Sequence, residues 1–282
     1  MRKTISFIGI GNMASAILNG ITTRVSDPVS WSDIVLYDRN ADKMQNFAAL
    51  GARVAKNLTD AISGSDCIIL CVKPQNFPEI LPVFSEIDGI EDKLIISIAA
   101  GITTETISGC VKNAPIVRVM PNTPMLIGQG VSALCRTKNV GDEDFDFACN
   151  IFAAAGKIIK ISEEEMNKII CVTGSSPAYI FMVIKAMYDA ASNQGLLKAD
   201  NSGIGLSQKE LLDAICDTII GSAMLVKSSN KTLWEQIQTV CSKGGTTEQA
   251  VAELEKHKLY EAFDSAMKKC TDRAYELGKA NK

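Results

Sequence analysis

Groups able to carry out chemistry are few in this sequence, and their spacing says more than their number. A single histidine, His257, rules out a His dyad, a His-rich metal site or a histidine base elsewhere in the chain. Neither Cys67 and Cys71 nor any acidic cluster completes a metal-ligand set with it, so the expected chemistry is metal-free. The strongest local signal is Gly9-Ile10-Gly11-Asn12-Met13-Ala14, directly after an apolar run ending at Ile8 and directly before a helical pattern. In that context the small residues fit a dinucleotide turn. Gly9 permits the tight bend, Gly11 lets the backbone approach a pyrophosphate, and Ala14 keeps helix against strand. Asn12 and Met13 open the helix whose N-terminus faces the anion.

Asp38 ends the next apolar run, where an acidic side chain suits a ribose 2′-hydroxyl. The adjacent Arg39 suits a 2′-phosphate, which leaves both NADPH and NADH open. Val72-Lys73-Pro74-Gln75 stands at the carboxyl end of a further buried run, the place where open α/β sheets bind ligands. Lys73 there is either a cofactor contact or an exposed lysine after a strand. Ala99-Ala100-Gly101 closes another strand with small residues that leave space. In Met120-Pro121-Asn122-Thr123-Pro124 two prolines fix the loop; Asn122 is either a partner for the nicotinamide amide or part of a rigid turn.

Two helix entries in the second half are candidates for binding substrate. Gly174-Ser175-Ser176-Pro177-Ala178-Tyr179 has the pattern of an N-cap serine before a first-turn proline, and Ser176 is also a candidate substrate contact. In Ser242-Lys243-Gly244-Gly245-Thr246-Thr247, Thr246 and Gln249 have capping-box spacing. Adjacent glycines with hydroxyl and ammonium groups at a helix start also make a small anion pocket, whose N–H groups can hold a carboxylate without any Arg. Reducing a carbonyl needs a proton relay, normally His or Lys. A protonated imine already carries the charge that attracts hydride, so the Thr247 hydroxyl need only hydrogen-bond its nitrogen. A dinucleotide turn, a carboxylate pocket and no strong general acid together point to a small cyclic imino acid.

These residues are positioned by two kinds of element. Apolar runs at Thr4–Ile8, Ile34–Tyr37, Arg53–Ala55, Cys67–Val72, Leu94–Ile98, Ile116–Val119, Val131–Cys135 and Lys157–Ile161 alternate with amphipathic stretches. The pattern predicts a parallel, doubly wound α/β sheet covered on both faces. After Ile161 only helical periods follow, at 177–193, 208–228, 247–256 and 258–279, with capping boxes at Ser162–Glu165 and Ser207–Glu210. The expected division is therefore a dinucleotide-binding domain over 1–161 and an all-α domain over 162–282. Ile180, Phe181, Ile184, Met187, Leu211, Ile215, Ile219 and Met224 fall at core spacing, and with so few helices a second copy of the chain is expected to complete that core.

Composition narrows the classes. The 282 residues carry 29 Lys and Arg against 32 Asp and Glu, a net charge of -3 that offers no footprint for nucleic acid or a membrane surface. No uninterrupted apolar run approaches a membrane span, and the strand pattern at the N-terminus leaves no room for a signal peptide. Nine cysteines without Cys-x-x-Cys spacing fit a reduced, cytoplasmic protein.

Six blocks, in order, carry a resemblance to the pyrroline-5-carboxylate reductase family. They are Phe7–Ala14, Val72–Gln75, Ser97–Gly101, Val117–Pro124, Val172–Tyr179 and Ser242–Thr247. The resemblance covers essentially the whole chain. It implies NAD(P)H-dependent reduction of 1-pyrroline-5-carboxylate to L-proline by a Rossmann-type domain and a helical dimerisation domain, the dimers often stacking into a larger ring such as a decamer. It further implies that Ile8 to Met13, Asn57 and Val72-Lys73-Pro74 line the dinucleotide and that Met120 and Asn122 abut the nicotinamide. Ser242 to Thr247 would bind the substrate, Thr247 nearest the imine.

The chain departs from the family pattern at Lys243, usually Pro, and at Glu248, usually aliphatic. Lys243 adds a positive charge beside the pocket; Glu248 suits the helix dipole and repels a substrate anion. Two other readings stand beside this one: a β-hydroxy-acid dehydrogenase using Lys168 or Lys185, and a non-catalytic dinucleotide sensor with a decayed substrate loop.

Overall fold

The computed structural model describes residues 3–197 and 205–280. Within them one sheet contains β1 (Ile5–Ile8), β2 (Ile34–Tyr37), β3 (Arg53–Val54), β4 (Cys67–Leu70), β5 (Leu94–Ser97), β6 (Ile116–Met120), β7 (Gly130–Arg136) and β8 (Gly156–Lys160), in the order β3-β2-β1-β4-β5-β6-β7-β8. Helices α1 (Asn12–Thr23), α2 (Gln45–Ala49), α3 (Leu58–Ser63), α4 (Phe77–Ser85), α5 (Thr104–Ser108) and α6 (Asp142–Ala153) link them.

The strands form here because their side chains alternate between two buried faces. Ile5, Phe7, Cys67, Ile69, Leu94 and Ile96 pack into one apolar layer with residues of α1 and α6. Ile8, Ile68, Leu70 and Ile95 face the other layer, with Phe77, Leu81 and Phe84 of α4 and Ile107 of α5. Period-two alternation with both faces covered is the signature of an interior sheet, and each such side chain contributes about 1.5–3 kcal/mol on burial.

The expectation of a wholly parallel sheet needs one correction. β6 and β7 pair antiparallel, Val117 opposite Arg136 and Met120 opposite Ala133. Only residues 121–129 join them, and a parallel return needs a crossover of about a dozen residues or more. The chain turns instead through a 3₁₀ turn at Thr123–Ile127.

Beyond Lys160 the described residues are mostly helical. α7 (Met166–Ile169) runs into a π-helical turn, Ile170–Gly174, followed by α8 (Ser176–Asn193), α9 (Gln208–Ser228), α10 (Leu233–Val240), α11 (Thr246–Lys256) and α12 (Leu259–Ala280). The capping boxes at Ser162–Glu165 and Ser207–Glu210 both form. Contacts divide the chain into two compact units, Met1–Pro177 with Met267–Lys282, and Ala178–Ala266.

In the second unit, Leu211 and Ile215 are buried, whereas Ile180, Phe181, Met187 and Met224 of the expected core stripe are exposed on the single chain and Ile184 and Ile219 are partly covered. The helical run Glu163–Asn193 is long and apolar enough to cross a membrane by length and composition alone. Interspersed polar residues such as Ser176, Lys185 and Asp189 interrupt the apolar run without ending the helix, which is why no uninterrupted apolar run marks it in the sequence.

Candidate active site

A cleft of about 800 Å³ opens at the carboxyl ends of β1, β2 and β4, where the strand order reverses. This switch point is where open α/β sheets bind ligands. Of the expected cofactor residues, Ile8, Gly9, Gly11, Asp38, Arg39, Asn57, Val72 and Lys73 line it together. Gly9 has φ +92°, and a Cβ there would stand 2.7 Å from Val72 Cγ1 and 3.0 Å from the Val72 amide nitrogen. Its own amide donates to the Tyr37 carbonyl at 2.7 Å, tying the turn between β1 and α1 to the end of β2. Gly11 is the N-cap of α1, no side chain caps that end, and a Cβ on it would meet nothing within 4 Å. The first amides of α1 have no intrahelical acceptor, and the space beside Gly11 is open, an arrangement that suits an anion.

Asp38 is held from several sides. Its carboxylate accepts the Ile10 amide at 2.7 Å, the Asn40 amide at 2.9 Å and the Lys43 ammonium at 3.2 Å. Burial alone would raise this carboxyl; the two amides and Lys43 outweigh it, so its pKa lies below the ordinary value. The same contacts lock the glycine turn to the end of β2. Lys43 also lines the cleft and was missed in the sequence, although its place one turn after Asp38 carried a signal. Arg39 reaches Glu79 at 3.1 Å across the rim, an exposed pair.

The other expected cofactor residues lie outside the lining of this cleft. Ile10 is buried with its amide spent on Asp38, Met13 packs on the core, and Asn12 is the exposed first residue of α1. Pro74 opens a 3₁₀ turn and Ala99 is buried just after β5; Asn57, which does line the cleft, also caps α3 by accepting the Asp60 amide. Met120 is buried at the end of β6. Asn122 takes part in a rigid turn: its side-chain amide donates to the Thr173 carbonyl at 3.0 Å and accepts the Val131 amide at 2.8 Å. It straps the β6–β7 loop to the π-helical turn.

A second strap is centred on Arg118, which is 1% exposed on β6. Its guanidinium donates to Glu163 and Asn167, both at 3.2 Å, while Nε has no partner. Glu163 also accepts the Thr104 amide at 2.8 Å and bonds the Thr104 hydroxyl. Two segments, β6 and the start of α5, converge on one carboxylate.

The expected caps at both substrate-side entries are corrected. Ser176 is already helical, and its hydroxyl donates backward to the Cys171 and Val172 carbonyls, at 3.0 Å and 2.6 Å, which lie in the π-helical turn. A π turn leaves carbonyls without their usual partners, and Ser176 supplies them. For α11 the N-cap is Gly245 and no Thr246–Gln249 box forms. Gly244 has φ +72°, which admits the glycine and carries the chain into the helix one residue early. Its amide donates to Glu248 Oε2 at 2.7 Å, and the Gly245 amide donates to the Ser242 carbonyl at 2.9 Å. A Cβ on Gly245 would lie 2.4 Å from Ser242 Oγ, so the turn closes tightly there.

At this entry the Gly244 and Gly245 amides are thus already bonded within the turn. Thr246, Thr247 and Glu248 occupy the first turn, where amides have no intrahelical acceptor, and the first ladder bond runs from Gln249 to Gly245. The lysines of the dehydrogenase alternative are not arranged for proton transfer: Lys185 pairs with Asp189 along α8, and Lys168 is exposed. His257 ends α11 beside Glu253 at 3.1 Å. Among the described residues no group of three His, Cys, Asp or Glu could hold a metal.

A Rossmann-type sheet with a glycine turn at its switch point, continued by a helical half, defines the class of two-part dinucleotide-dependent oxidoreductases. Residues 4–101 match the family model for NADP oxidoreductase, coenzyme F420-dependent, and residues 163–277 match that for pyrroline-5-carboxylate reductase dimerisation. The chain is 33% identical to a Haemophilus influenzae pyrroline-5-carboxylate reductase, over 98% of this chain and 97% of that one. It is 34% identical to the Escherichia coli protein of the same name, over 99% and 100%. A crystal structure of Plasmodium falciparum pyrroline carboxylate reductase with NADP bound superposes with a TM-score of 0.86, at 26% identity and 98% coverage of both chains. The chain belongs to the pyrroline-5-carboxylate reductase family.

Proposed function

We propose that this chain reduces 1-pyrroline-5-carboxylate to L-proline with NADPH or NADH. The residues present fit a dinucleotide, since Gly11 leaves open space before the first amides of α1 and Gly9 allows the turn that makes that space. Bound there, the reduced nicotinamide supplies a hydride. The cleft residues Gly9, Gly11, Asn57, Val72 and Lys73 are proposed to hold it, Met120 to bound its nicotinamide end, and Asp38 to position the turn rather than the ribose.

The observation that carries the substrate side is the head of α11, where the amides of Thr246 and Thr247 adjoin the Thr247 hydroxyl, with Glu248 the acidic side chain of that turn, bonded to the Gly244 amide. These amides would grip the substrate carboxylate, and the Thr247 hydroxyl would hydrogen-bond the imine nitrogen. The protonated imine accepts the hydride at carbon, giving the ring amine directly, so Thr247 needs only to orient it. Ser242, Gly244 and Gly245 shape the turn. Positioning and fixed dipoles supply the acceleration.

We further propose that the active form is a soluble, cytoplasmic homodimer, assembled into a decamer, without nucleic-acid or membrane partners. The match to a dimerisation model over 163–277 and the uncovered apolar stripe at Phe181, Met182, Met224 and Leu225 support pairing of this half. The functional boundary is proposed near residue 161, where the sheet ends. The test is loss of nicotinamide absorbance with pyrroline-5-carboxylate, run in parallel with both cofactors. Thr247→Ala should lower kcat/KM by about 10- to 100-fold, or about 1.4–2.7 kcal/mol. Full kcat/KM in that variant would remove Thr247 from the mechanism.

A further inference from the structure

Resting on the reading just given, we propose that Glu248 sets substrate affinity by occupying the anion site at the head of α11 with the chain's own carboxylate. In an ordinary capping box the third-residue carboxylate bonds the N-cap amide. Here the N-cap amide, on Gly245, is already spent on the Ser242 carbonyl, and Glu248 reaches one residue further to the Gly244 amide at 2.7 Å. That length is typical of a charge-assisted bond. The left-handed turn at Gly244 makes the reach possible, with φ +72° and no atom within 4 Å of the space beside its α-carbon.

Glu248 therefore puts a full negative charge on the same turn whose Thr246 and Thr247 amides are assigned to the substrate carboxylate. Its own first-turn amide belongs to that donor group too. An arriving carboxylate has two routes. It displaces Glu248 from the Gly244 amide, at the cost of that bond, or it binds beside Glu248 against like-charge repulsion. Either route weakens binding of the anionic substrate, and neither touches hydride transfer. Glu248 is exposed, with solvent to turn into, so it acts as a competitor tethered to the site rather than as a permanent block. Substrates are thereby sorted by the strength of their anionic group, and a ring imine without a carboxylate does not sense the residue.

The experiment is steady-state kinetics of wild type, Glu248→Gln and Glu248→Ala with pyrroline-5-carboxylate and with 1-pyrroline, the same ring lacking the carboxylate. Glu248→Gln keeps an acceptor for the Gly244 amide and removes only the charge, so it remains informative if Glu248→Ala disturbs the helix start. KM for pyrroline-5-carboxylate should fall about three- to tenfold in both variants, the size of one charge interaction at a helix end, while kcat holds and KM for 1-pyrroline stays put. An unchanged or raised KM for pyrroline-5-carboxylate in Glu248→Gln overturns the proposal, as does an equal shift for 1-pyrroline. Wild type that turns over neither imine sinks the activity reading and this inference with it; wild-type turnover with an unmoved Glu248→Gln KM sinks this inference alone.

Discussion

Alanine at Gly9 and at Gly11 should fail in different ways, although both positions sit in one turn. At Gly9 an L-residue must adopt φ +92°, at a cost of about 1–2 kcal/mol. Its Cβ would also press on Val72 Cγ1 at 2.7 Å and on the Val72 backbone at 3.0 Å, an overpacking of about 1–3 kcal/mol because the backbone of a central strand end cannot retreat. The total of about 2–5 kcal/mol should lower the urea midpoint by about 0.7–1.7 M for a slope of about 3 kcal/mol/M, at fixed protein concentration. At Gly11 the backbone is extended and the added Cβ enters open space, so the midpoint should move by less than about 1 kcal/mol equivalent. The same methyl fills space meant for the pyrophosphate, and the NADPH dissociation constant from nicotinamide fluorescence should rise about 10- to 100-fold. A Gly9→Ala chain as stable as wild type, or a Gly11→Ala chain binding NADPH normally, would refute the assignment of fold to one glycine and contact to the other.

Further outcomes follow from the polar contacts. Asp38→Ala strands the buried Ile10 amide and should cost about 1–3 kcal/mol in urea unfolding, with a raised KM for the cofactor. Glu163→Ala takes a partner from Arg118 and from the Thr104 amide; because Glu163 is itself about a third exposed, the loss should be about 1–3 kcal/mol by the same measurement. Cys67 is held well above the usual thiol range by burial, and Cys135 is pushed up to about 12, chiefly by burial and then by Glu163, so both should resist iodoacetamide at about pH 8 in native protein and label on unfolding, as read by mass spectrometry. Asp38 and the cap carboxylates Glu165 and Glu235 lie below their ordinary values, so the folded chain binds fewer protons than the unfolded one in acid. Their stabilisation should be complete above about pH 5 and drain as pH falls through the folded values, seen as a falling Tm in acid.

The sheet and the cofactor end were legible because each rests on local signals that tertiary structure did not override. The strands between Ile5 and Lys160 are nearly continuous apolar runs, and Gly9 and Gly11 stand where a strand meets a helix. The antiparallel β6–β7 pair was less visible, since strand composition is blind to direction and only the shortness of 121–129 betrays it. α4 is absent from the helical periods read in the sequence, and its composition holds two prolines, Pro78 in the first turn and Pro82 inside the helix; the carbonyl that Pro82 leaves unpaired belongs to Pro78, close to the helix start. α10 carried a readable capping box at Thr232 and Glu235 and was passed over.

At the substrate end the residue types were legible but the register was not. Thr246 has the chemistry of a cap, yet Gly244 turns the chain early and makes Gly245 the N-cap. Ser176 likewise looked like a cap until the π-helical turn before it claimed its hydroxyl. Asn122 was placed at the correct loop, but its amide is spent on Thr173 and Val131, two partners distant in sequence. Long-range hydrogen bonds of that kind have no signature in spacing.

Grip of an anionic tail by main-chain donors, acting on an imine that needs no acid, is tested most directly by a crystal structure of the protein with L-proline and NADPH. The proline carboxylate should accept from the Thr246 and Thr247 amides, with Glu248 swung off Gly244 and the ring nitrogen within hydrogen-bond reach of the Thr247 hydroxyl. A carboxylate seated away from residues 242–247, or held by a charged side chain instead, would contradict the account.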